Sequence, residues 1–414
     1  MIGAEAPERT RGVDLLEDKA VGVLTGAAVG DALGGAAEGN TPEAIVARYG
    51  GPIDGIVPPF NADWRNARPI APYHKGDGHI TDDTLMTMAL VDVYASAGDH
   101  LDAYSIAEEL VPLLIGEKRW IPEFESEGLL LHRIFLAEKW LVTRLHYGHV
   151  DPREAGVGNI VNCGAAMYIA PVGIANAGSP DTAYAEAIDV AGAHQSSYGR
   201  EAAGVLAAAI AEAMTPGATV DSVIDTAVRL AKDGTRAAIE AVVEVARKQA
   251  DAAAAGPALR AAIAPFDTVG VDYRAPSLDA RRPSRTKAIE ELPIALGLLV
   301  AARGDYRSAV LAAVNYGRDS DSIASMAGAI AGALSGAAGV PAEWVDAVST
   351  ASRIDLVTPG LTMARVAREL LAIDASRAES RRAAMAELRR PSDPDPKADR
   401  AAIPEVDGVG AGAA

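Results

Sequence analysis

Two glycine stripes at four-residue spacing constrain the fold of this chain more than any other feature. One comprises Gly22, Gly26, Gly30 and Gly34, and the other comprises Gly328, Gly332 and Gly336. Both lie in segments with helical patterning, where each glycine costs on the order of 1 kcal/mol relative to alanine. Close approach of a neighbouring backbone is the simplest benefit that offsets this cost, because glycine has no Cβ. If the two stripes pack against each other, Asp31 and Glu38 come near Asp319 and Asp321.

The rest of the chain also favours helices. Hydrophobic residues make up 49% of the 414 residues but aromatic residues only 5%, and alanine and glycine are abundant. Small side chains fill a core only where elements pack closely, and alanine has the highest helix propensity. Runs with the period-two alternation of strands are few and short. We therefore predict an all-α fold of many helices, one of them continuous over 125–145.

No linker divides the chain between its two ends. Residues 1–13 are polar and predict a flexible N-terminal arm, and the Pro, Gly and charge content of 391–414 predicts a disordered C-terminal tail. Residues 14–390 are therefore predicted to form one domain. Within it, the connection 264–288 is long enough either to cover a site as a lid or to be a solvated surface loop.

Charge and cysteine content argue against several classes of function. The formal net charge of −18 opposes general binding to nucleic acid. The single cysteine, Cys163, excludes an intrachain disulfide and a cysteine-rich zinc site.

The N-terminus lacks the apolar stretch of a signal peptide, which predicts a cytoplasmic location. The uncharged segment 323–340 has glycines spaced as in membrane helices, but its small residues and the charges of Arg318, Asp319 and Asp321 argue against a membrane span.

Acidic residues cluster at two predicted helix starts. Thr81-Asp82-Asp83 precedes the apolar run beginning LMTMAL, and Asp319-Ser320-Asp321-Ser322 precedes IASMAGAIAGAL. Helix capping is one explanation, since Asp, Ser and Thr are preferred N-caps. Capping needs only one such residue at each helix, whereas these segments together offer several carboxylates and hydroxyls. Hard divalent cations such as Mg²⁺ take oxygen ligands, so a site for a pair of ions is the alternative explanation.

The sequence contains few other catalytic motifs. It has no HExxH zinc motif, no GxSxG nucleophile elbow and no P-loop. His74 and His79 precede a predicted helix rather than lie on one face of it, which argues against zinc. His194 lies just before another predicted helix, where it either contacts an adenine or phosphate or is a buried structural histidine.

These motifs resemble the ADP-ribosylglycohydrolase family. Five segments carry the resemblance, in the family's order: GAAVGDALGGAAE (26–38), ITDDTLMTMAL (80–90), GNIVNCGAAMYIAPVGIA (158–175), HQSSYGREAAGVLAAAIA (194–211) and VNYGRDSDSIASMAGAIAGALSG (314–336). The resemblance covers about residues 18–350.

The resemblance implies a single large, roughly orthogonal helical bundle with two divalent cations, Mg²⁺ or Mn²⁺, in a central cleft. It implies a hydrolase that cleaves the glycosidic bond between ADP-ribose and an acceptor, with Glu38 and Asp83 as catalytic residues. The implied metal ligands are Thr81, Asp82, Asp83, Asp319, Asp321 and Ser322. The implied substrate-binding residues are Asn162, Cys163, Gly164, Ala165, Met167 and His194.

Departures from the family pattern concern the acceptor. Tyr168 stands where the family has an arginine, and Cys163 stands where glycine or another small residue is common. The acceptor therefore stays open between arginine, serine, nucleic acid and a small molecule, and the oligomeric state is open as well. Ser320 and Ser322 replace the family's threonines and keep the hydroxyl oxygen. The alternative functions are hydrolysis of a small nucleoside or ADP-ribosyl metabolite and non-catalytic binding of ADP-ribose.

Overall fold

The computed structural model describes residues 13–64, 74–121, 124–266 and 287–390. The predicted C-terminal tail, all but the last residue of the predicted N-terminal arm and most of the loop 264–288 lie outside these residues. Backbone contacts divide the chain into a unit that ends at Leu370 and a second unit that begins at Leu371. The described part is an all-α helical bundle, which confirms the predicted fold class.

In the first half of the chain, three longer helices are followed by four short ones. Its helices are α1 (Leu15–Gly35), α2 (Pro42–Tyr49), α3 (Asp82–Ala97), α4 (Ala103–Ser105), α5 (Val111–Gly116), α6 (Leu130–Arg133) and α7 (Leu136–Leu141). Between α5 and α6 the strands β1 (Lys118–Ile121) and β2 (Ser126–Leu129) pair antiparallel. They form the one sheet within the described ranges.

The hairpin shows that the predicted continuous helix over 125–145 is wrong. Glu125 has a φ of 50° at the turn into β2, and α6 ends where Ile134 adopts extended backbone. The stretch therefore contains one strand and two short helices, the second continued by a π-helical turn, Val142–Tyr147. The apolar residues of this segment suited either a helix or a strand, and tertiary contacts decided between them.

The second half consists of helices and short helical turns. Its helices are α8 (Ala170–Ala175), α9 (Pro180–Gly192), α10 (Ser197–Ala213), α11 (Val220–Leu230), α12 (Asp233–Ala246), α13 (Ala252–Ile263), α14 (Lys287–Ala301), α15 (Tyr306–Tyr316), α16 (Ser320–Ser335), α17 (Ala342–Ser352) and α18 (Thr358–Leu388). No helix in the described ranges is long and apolar enough to cross a membrane.

Helices α1 and α16 form the central antiparallel pair, and they meet through the two glycine stripes. A Cβ placed on Gly22 would lie 2.3 Å from the carbonyl oxygen of Gly332, and one on Gly26 would lie 2.4 Å from that of Gly328. Any side chain at these positions would collide with the backbone of the partner helix. The prediction that the stripes pack against each other is therefore confirmed.

This pairing determines where the acidic residues lie. At the last glycine of the first stripe, a Cβ on Gly34 would lie 2.4 Å from Ser320 O, so the end of α1 meets the start of α16. At the opposite end, the buried ammonium of Lys19 donates to Ala213 O at 2.8 Å and to Ala333 O at 2.7 Å. Lys19 thus satisfies carbonyls at the ends of α10 and α16, which the helices leave without partners.

Candidate active site

A buried carboxylate on α1, that of Asp31, holds the first turn of α3. Its Oδ2 accepts hydrogen bonds from the backbone N–H of Thr81 at 2.9 Å and of Thr84 at 3.2 Å, and from the Thr84 hydroxyl. The Thr81 hydroxyl donates to Asp31 Oδ1 at 2.5 Å. Asp31 therefore determines the position of the next two residues, Asp82 and Asp83.

A tight turn places the start of α16 beside the residues that follow α1. Gly317 and Arg318 have positive φ values of 69° and 59°. The backbone N–H of Arg318 donates to Asn40 O at 2.7 Å, and a Cβ on Gly317 would lie 2.3 Å from the same oxygen. Only glycine allows this approach, which brings the acidic residues of α16 close to Glu38.

These elements enclose a small cavity of about 50 Å³. It is lined by Glu38, His74, Asp82, Asp83, Arg133, Phe135, Glu138, Asn162, Cys163, Gly164, Met167, Asp319, Asp321 and Ser322. Of the residues predicted from the sequence, Thr81, Ala165 and His194 are buried but do not line this cavity. The structure thus brings the other predicted residues, from four separate segments, to one place.

Carboxylates of the cavity repel one another in a buried environment. Burial, followed by the charges of the neighbouring aspartates, raises the pKa of Asp83 well above its ordinary value. Burial and the charge of Glu38 raise the pKa of Asp321 to about 8. Cations relieve such repulsion, so the cluster favours a positively charged partner.

Two basic side chains of the protein balance part of the negative charge of these carboxylates. His74 Nε2 lies 3.1 Å from Glu38 Oε2 and 3.2 Å from Asp321 Oδ2. Burial alone would lower the pKa of His74, but its hydrogen bonds to the two carboxylates raise it to about 10. Arg133 donates to Asp82 Oδ1 at 2.9 Å, and its other terminal nitrogen lies 2.8 Å from His74 Nδ1.

The remaining oxygens fit a hard divalent cation. Asp83 Oδ1 is buried and has no hydrogen-bond partner in the described structure. One carboxylate oxygen each from Asp31, Asp83 and Asp321 lie within 4.8 Å of one another, and Asp321 also belongs to a similar group with Glu38 and His74. Oxygen-rich donor sets of this kind suit Mg²⁺ and Mn²⁺.

The thiol of Cys163 belongs to the same cluster. Its Sγ lies 3.6 Å from Asp319 Oδ2 and 3.5 Å from Ser322 Oγ, and Glu291 of α14 completes a group of possible ligands with Cys163 and Asp319. Burial and then the charge of Asp319 raise the pKa of this thiol well above its ordinary value. Cys163 is therefore a protonated thiol that contacts two predicted metal ligands.

Hydrogen bonds of the Asn162 side chain hold the turn that contributes Cys163 and Gly164 to the cavity. Asn162 Oδ1 accepts from the backbone N–H of Gly164 at 3.0 Å and from Gln195 Nε2 at 2.9 Å. The side-chain oxygen of Asn162, a predicted substrate-binding residue, therefore orients the turn Cys163–Ala165. Ala165, the last residue of that turn, is fully buried.

Four residues that line the cavity were not among the site residues predicted from the sequence. They are His74, Arg133, Phe135 and Glu138, and none lies in a motif that marks it. Arg133 and Glu138 fall in the stretch that was predicted as one continuous helix. Only the burial of the charged side chains of Arg133 and Glu138 marks them as site residues. Burial of a charged residue depends on the tertiary contacts around it, so the sequence does not show it.

Comparisons with known proteins identify the family. The family model described as ADP-ribosylglycohydrolase matches residues 13–379. A curated relative, the ADP-ribosylarginine hydrolase Tri1 of Pseudomonas putida (strain GB-1), is 28% identical over 348 residues, which are 81% of this chain and 76% of that protein. A solved structure, described as an ADP-ribosylglycohydrolase-related protein complex, matches with a TM-score of 0.55 and 21% sequence identity. The match covers 85% of this chain and 99% of the chain in that structure, and it supports the fold alone. The chain therefore belongs to the ADP-ribosylglycohydrolase family of glycosidic-bond hydrolases.

Proposed function

We propose that this chain is a metal-dependent hydrolase that releases ADP-ribose from the arginine side chains of proteins. The observation that carries the metal dependence is the buried carboxylate cluster, in which Asp83 Oδ1 lacks a hydrogen-bond partner among the described residues. Arginine as the acceptor is supported by the relative named ADP-ribosylarginine hydrolase. It is also supported by charge, because a guanidinium leaving group is favoured beside a cluster of acidic residues.

The side chains of this site suit two divalent cations, Mg²⁺ or Mn²⁺. The proposed ligands are Asp82, Asp83, Asp319, Asp321 and Ser322, which line the cavity, and Thr81, whose hydroxyl donates to Asp31 and keeps a lone pair for a cation. Bound there, the cations would supply positive charge that polarises substrate oxygens and lowers the pKa of a nearby water. Asp82 and Asp321 already contact Arg133 and His74, so the two basic side chains would share or yield these oxygens when the cations bind.

The protein's own residues contribute orientation, charge and proton transfer. Hydrolysis breaks the bond between the anomeric carbon of ribose and the guanidine nitrogen, and it forms a bond from that carbon to a water oxygen. Positive charge builds on the sugar before the new bond forms, and the carboxylates around the cavity stabilise it. Glu38 or Asp83 accepts the proton from the attacking water, and the released guanidine takes up a proton to become arginine.

A panel of linkages tests this proposal. We would incubate the purified chain with peptides ADP-ribosylated on arginine or on serine and with ADP-ribosylated nucleic acid, and measure released ADP-ribose by chromatography. We expect release from the arginine-linked peptide with Mg²⁺ or Mn²⁺, and loss of release after EDTA treatment. Release from serine or nucleic acid alone would overturn the acceptor, and full activity in EDTA would overturn the metal dependence.

Two variants with a matched control test the residues. Asp83→Asn and Asp321→Asn remove a charge with little change of shape, and we expect each to lower turnover by at least about 100-fold, since cation-assisted charge stabilisation contributes several kcal/mol. Both should also weaken binding of Mn²⁺, measured by titration calorimetry. Asp225→Asn changes an exposed residue of α11 and should leave both quantities unchanged. Wild-type turnover in both site variants would contradict the proposed metal site.

A further inference from the structure

The second half of α18 is exposed along its whole length. The buried residues of this helix lie between Gly360 and Leu370. Every residue from Leu371 to Arg390 is exposed or half-buried, and Leu371 also begins the second unit of the chain. Helices in proteins gain most of their stability when one apolar face packs against a partner. Within the described ranges, residues 371–390 therefore lack the packing that would bury such a face.

Three apolar residues form a stripe on this exposed segment. Leu371, Ala378 and Met385 recur at intervals of seven residues. Seven residues are nearly two helical turns, so the three side chains share one face. Leu371 is 70% exposed and Met385 is 44% exposed. Single exposed apolar residues are ordinary on a protein surface, whereas a stripe with this period is typical of helices that pair.

The charges beside the stripe suit one orientation of a helix pair. Asp374 and Arg381 each follow a stripe residue by three positions, so both lie on the same side of the stripe. Asp374 lies 3.9 Å from Arg377 of its own helix, and its side chain remains 48% exposed. In a parallel pair, Asp374 and Arg381 would each meet their own copies, and like charges repel. In an antiparallel pair centred on Ala378, Asp374 of each helix faces Arg381 of the other, so two ion pairs form.

The apolar residues fit the same antiparallel arrangement. Each Leu371 faces Met385 of the second helix, because both residues lie seven positions from Ala378. Ala378 meets its own copy at the centre, where its small side chain lets the two helices approach closely. The stripe and the charges beside it therefore favour one register.

We propose that residues 371–390 pair with the same segment of a second copy of this chain, antiparallel and centred on Ala378. None of these residues lines the acidic cavity, so this inference does not rest on the proposed function. An acidic surface of another protein is the competing occupant, because the segment has five arginines and three acidic residues. That occupant predicts a purified chain that stays monomeric.

Sedimentation equilibrium of the purified full chain tests the pairing. We expect a species with twice the 42.6 kDa of one chain, about 85 kDa, that dissociates on dilution. Asp374→Arg and Arg381→Asp each bring like charges together at two contacts, so each should weaken association by about tenfold or more. Glu387→Arg is the matched control, since it changes the net charge as Asp374→Arg does. Glu387 lies two residues beyond Met385, on the opposite face, so association should stay unchanged.

Combining the two substitutions separates charge pairing from damage to the helix. The double variant Asp374→Arg/Arg381→Asp exchanges the charges and should associate as the wild type does. An equimolar mixture of the two single variants should form a heterodimer more readily than either variant pairs with itself, because both contacts then join opposite charges. A wild type that stays monomeric at about 100 μM would overturn the proposal. Association that neither single substitution weakens, or that neither combination restores, would overturn it as well.

Cysteine cross-linking tests the orientation. Ala378→Cys places two thiols at the centre of the antiparallel pair, and mild oxidation should join them, whereas the native Cys163 is buried. Leu388→Cys is the control, because the two copies of this position lie about 30 Å apart along an antiparallel pair but meet in a parallel one. Cross-linking at position 388 rather than at 378 would overturn the antiparallel arrangement. Neither measurement uses ADP-ribose, so both remain decisive if the proposed function fails.

Discussion

Replacing Gly332 by alanine tests whether the glycine stripes determine the central contact of the fold. A Cβ at this position would lie 2.0 Å from the carbonyl oxygen of Gly22 and 2.6 Å from its carbonyl carbon. Close carbon-to-oxygen contacts between helices are about 3.3 Å or longer. Helices α1 and α16 must therefore separate by roughly 1 Å. Both colliding groups belong to the backbone, so no side-chain rotation relieves the collision.

The structure sets the size of the expected effect. Overpacking in a core costs about 1–3 kcal/mol and occasionally more, and a collision with backbone belongs at the upper end. The higher helix propensity of alanine offsets about 1 kcal/mol of this. We expect the free energy of unfolding to fall by about 2 kcal/mol or more in Gly332→Ala. Turnover of the folded protein should change little, since Gly332 lies about 18 Å along α16 from Ser320.

Urea denaturation followed by circular dichroism measures this effect as a lower midpoint at an unchanged slope. Gly116→Ala is the matched control, because Gly116 is exposed at the end of α5 and a Cβ there would meet nothing within 4 Å. We expect this control to be as stable as the wild type or slightly more stable. Equal midpoints for Gly332→Ala and Gly116→Ala would refute the view that close backbone approach requires the stripe.

Two further predictions concern the ends of the same helix pair. Lys19→Met removes the donor to two buried carbonyls and should lower the free energy of unfolding by about 1–3 kcal/mol. The control Lys248→Met removes an exposed ion pair with Glu244 and should change the free energy of unfolding by no more than about 0.5 kcal/mol. Urea midpoints check both, and equal effects would contradict the role of Lys19. Folding raises the pKa of Asp321 from 3.8 to about 8, so between these values the folded protein holds a proton that the unfolded chain has lost. In EDTA, the free energy of unfolding should therefore fall as the pH rises from about 4 to about 8. Mg²⁺ should flatten this dependence of the melting temperature, and an identical slope with Mg²⁺ and EDTA would contradict a cation at Asp321.

The helical elements were largely predictable because their signals are local. Thr41-Pro42 at the start of α2 and the apolar run after Asp83 mark helices within a few residues of sequence. The hairpin of β1 and β2 was not predictable. Its strands, KRWI and SEGL, are only four residues each, and so short a stretch has no periodicity that separates a strand from a helix.

By itself, the sequence determined the all-α class, the two glycine stripes and the acidic segments at the starts of α3 and α16. These features follow from residue type and spacing along one element. Glycines at every fourth position leave one helix face open to a close partner, so the stripes predicted that Asp31 and Glu38 approach Asp319 and Asp321 on the condition that the two stripes pack against each other.

Only the tertiary structure decided what surrounds that acidic cluster. His74 and Arg133 contact its carboxylates, and Glu138 faces His194 beside it, although these residues come from segments far apart in the chain. Their roles arise from burial and from distances between side chains on different elements. A buried charge acquires its partners, its pKa and its possible ligands only when the chain has folded, and no spacing in the sequence encodes these contacts. The two glycine stripes encode one contact, between α1 and α16, and the rest of the site depends on how the other helices pack around it.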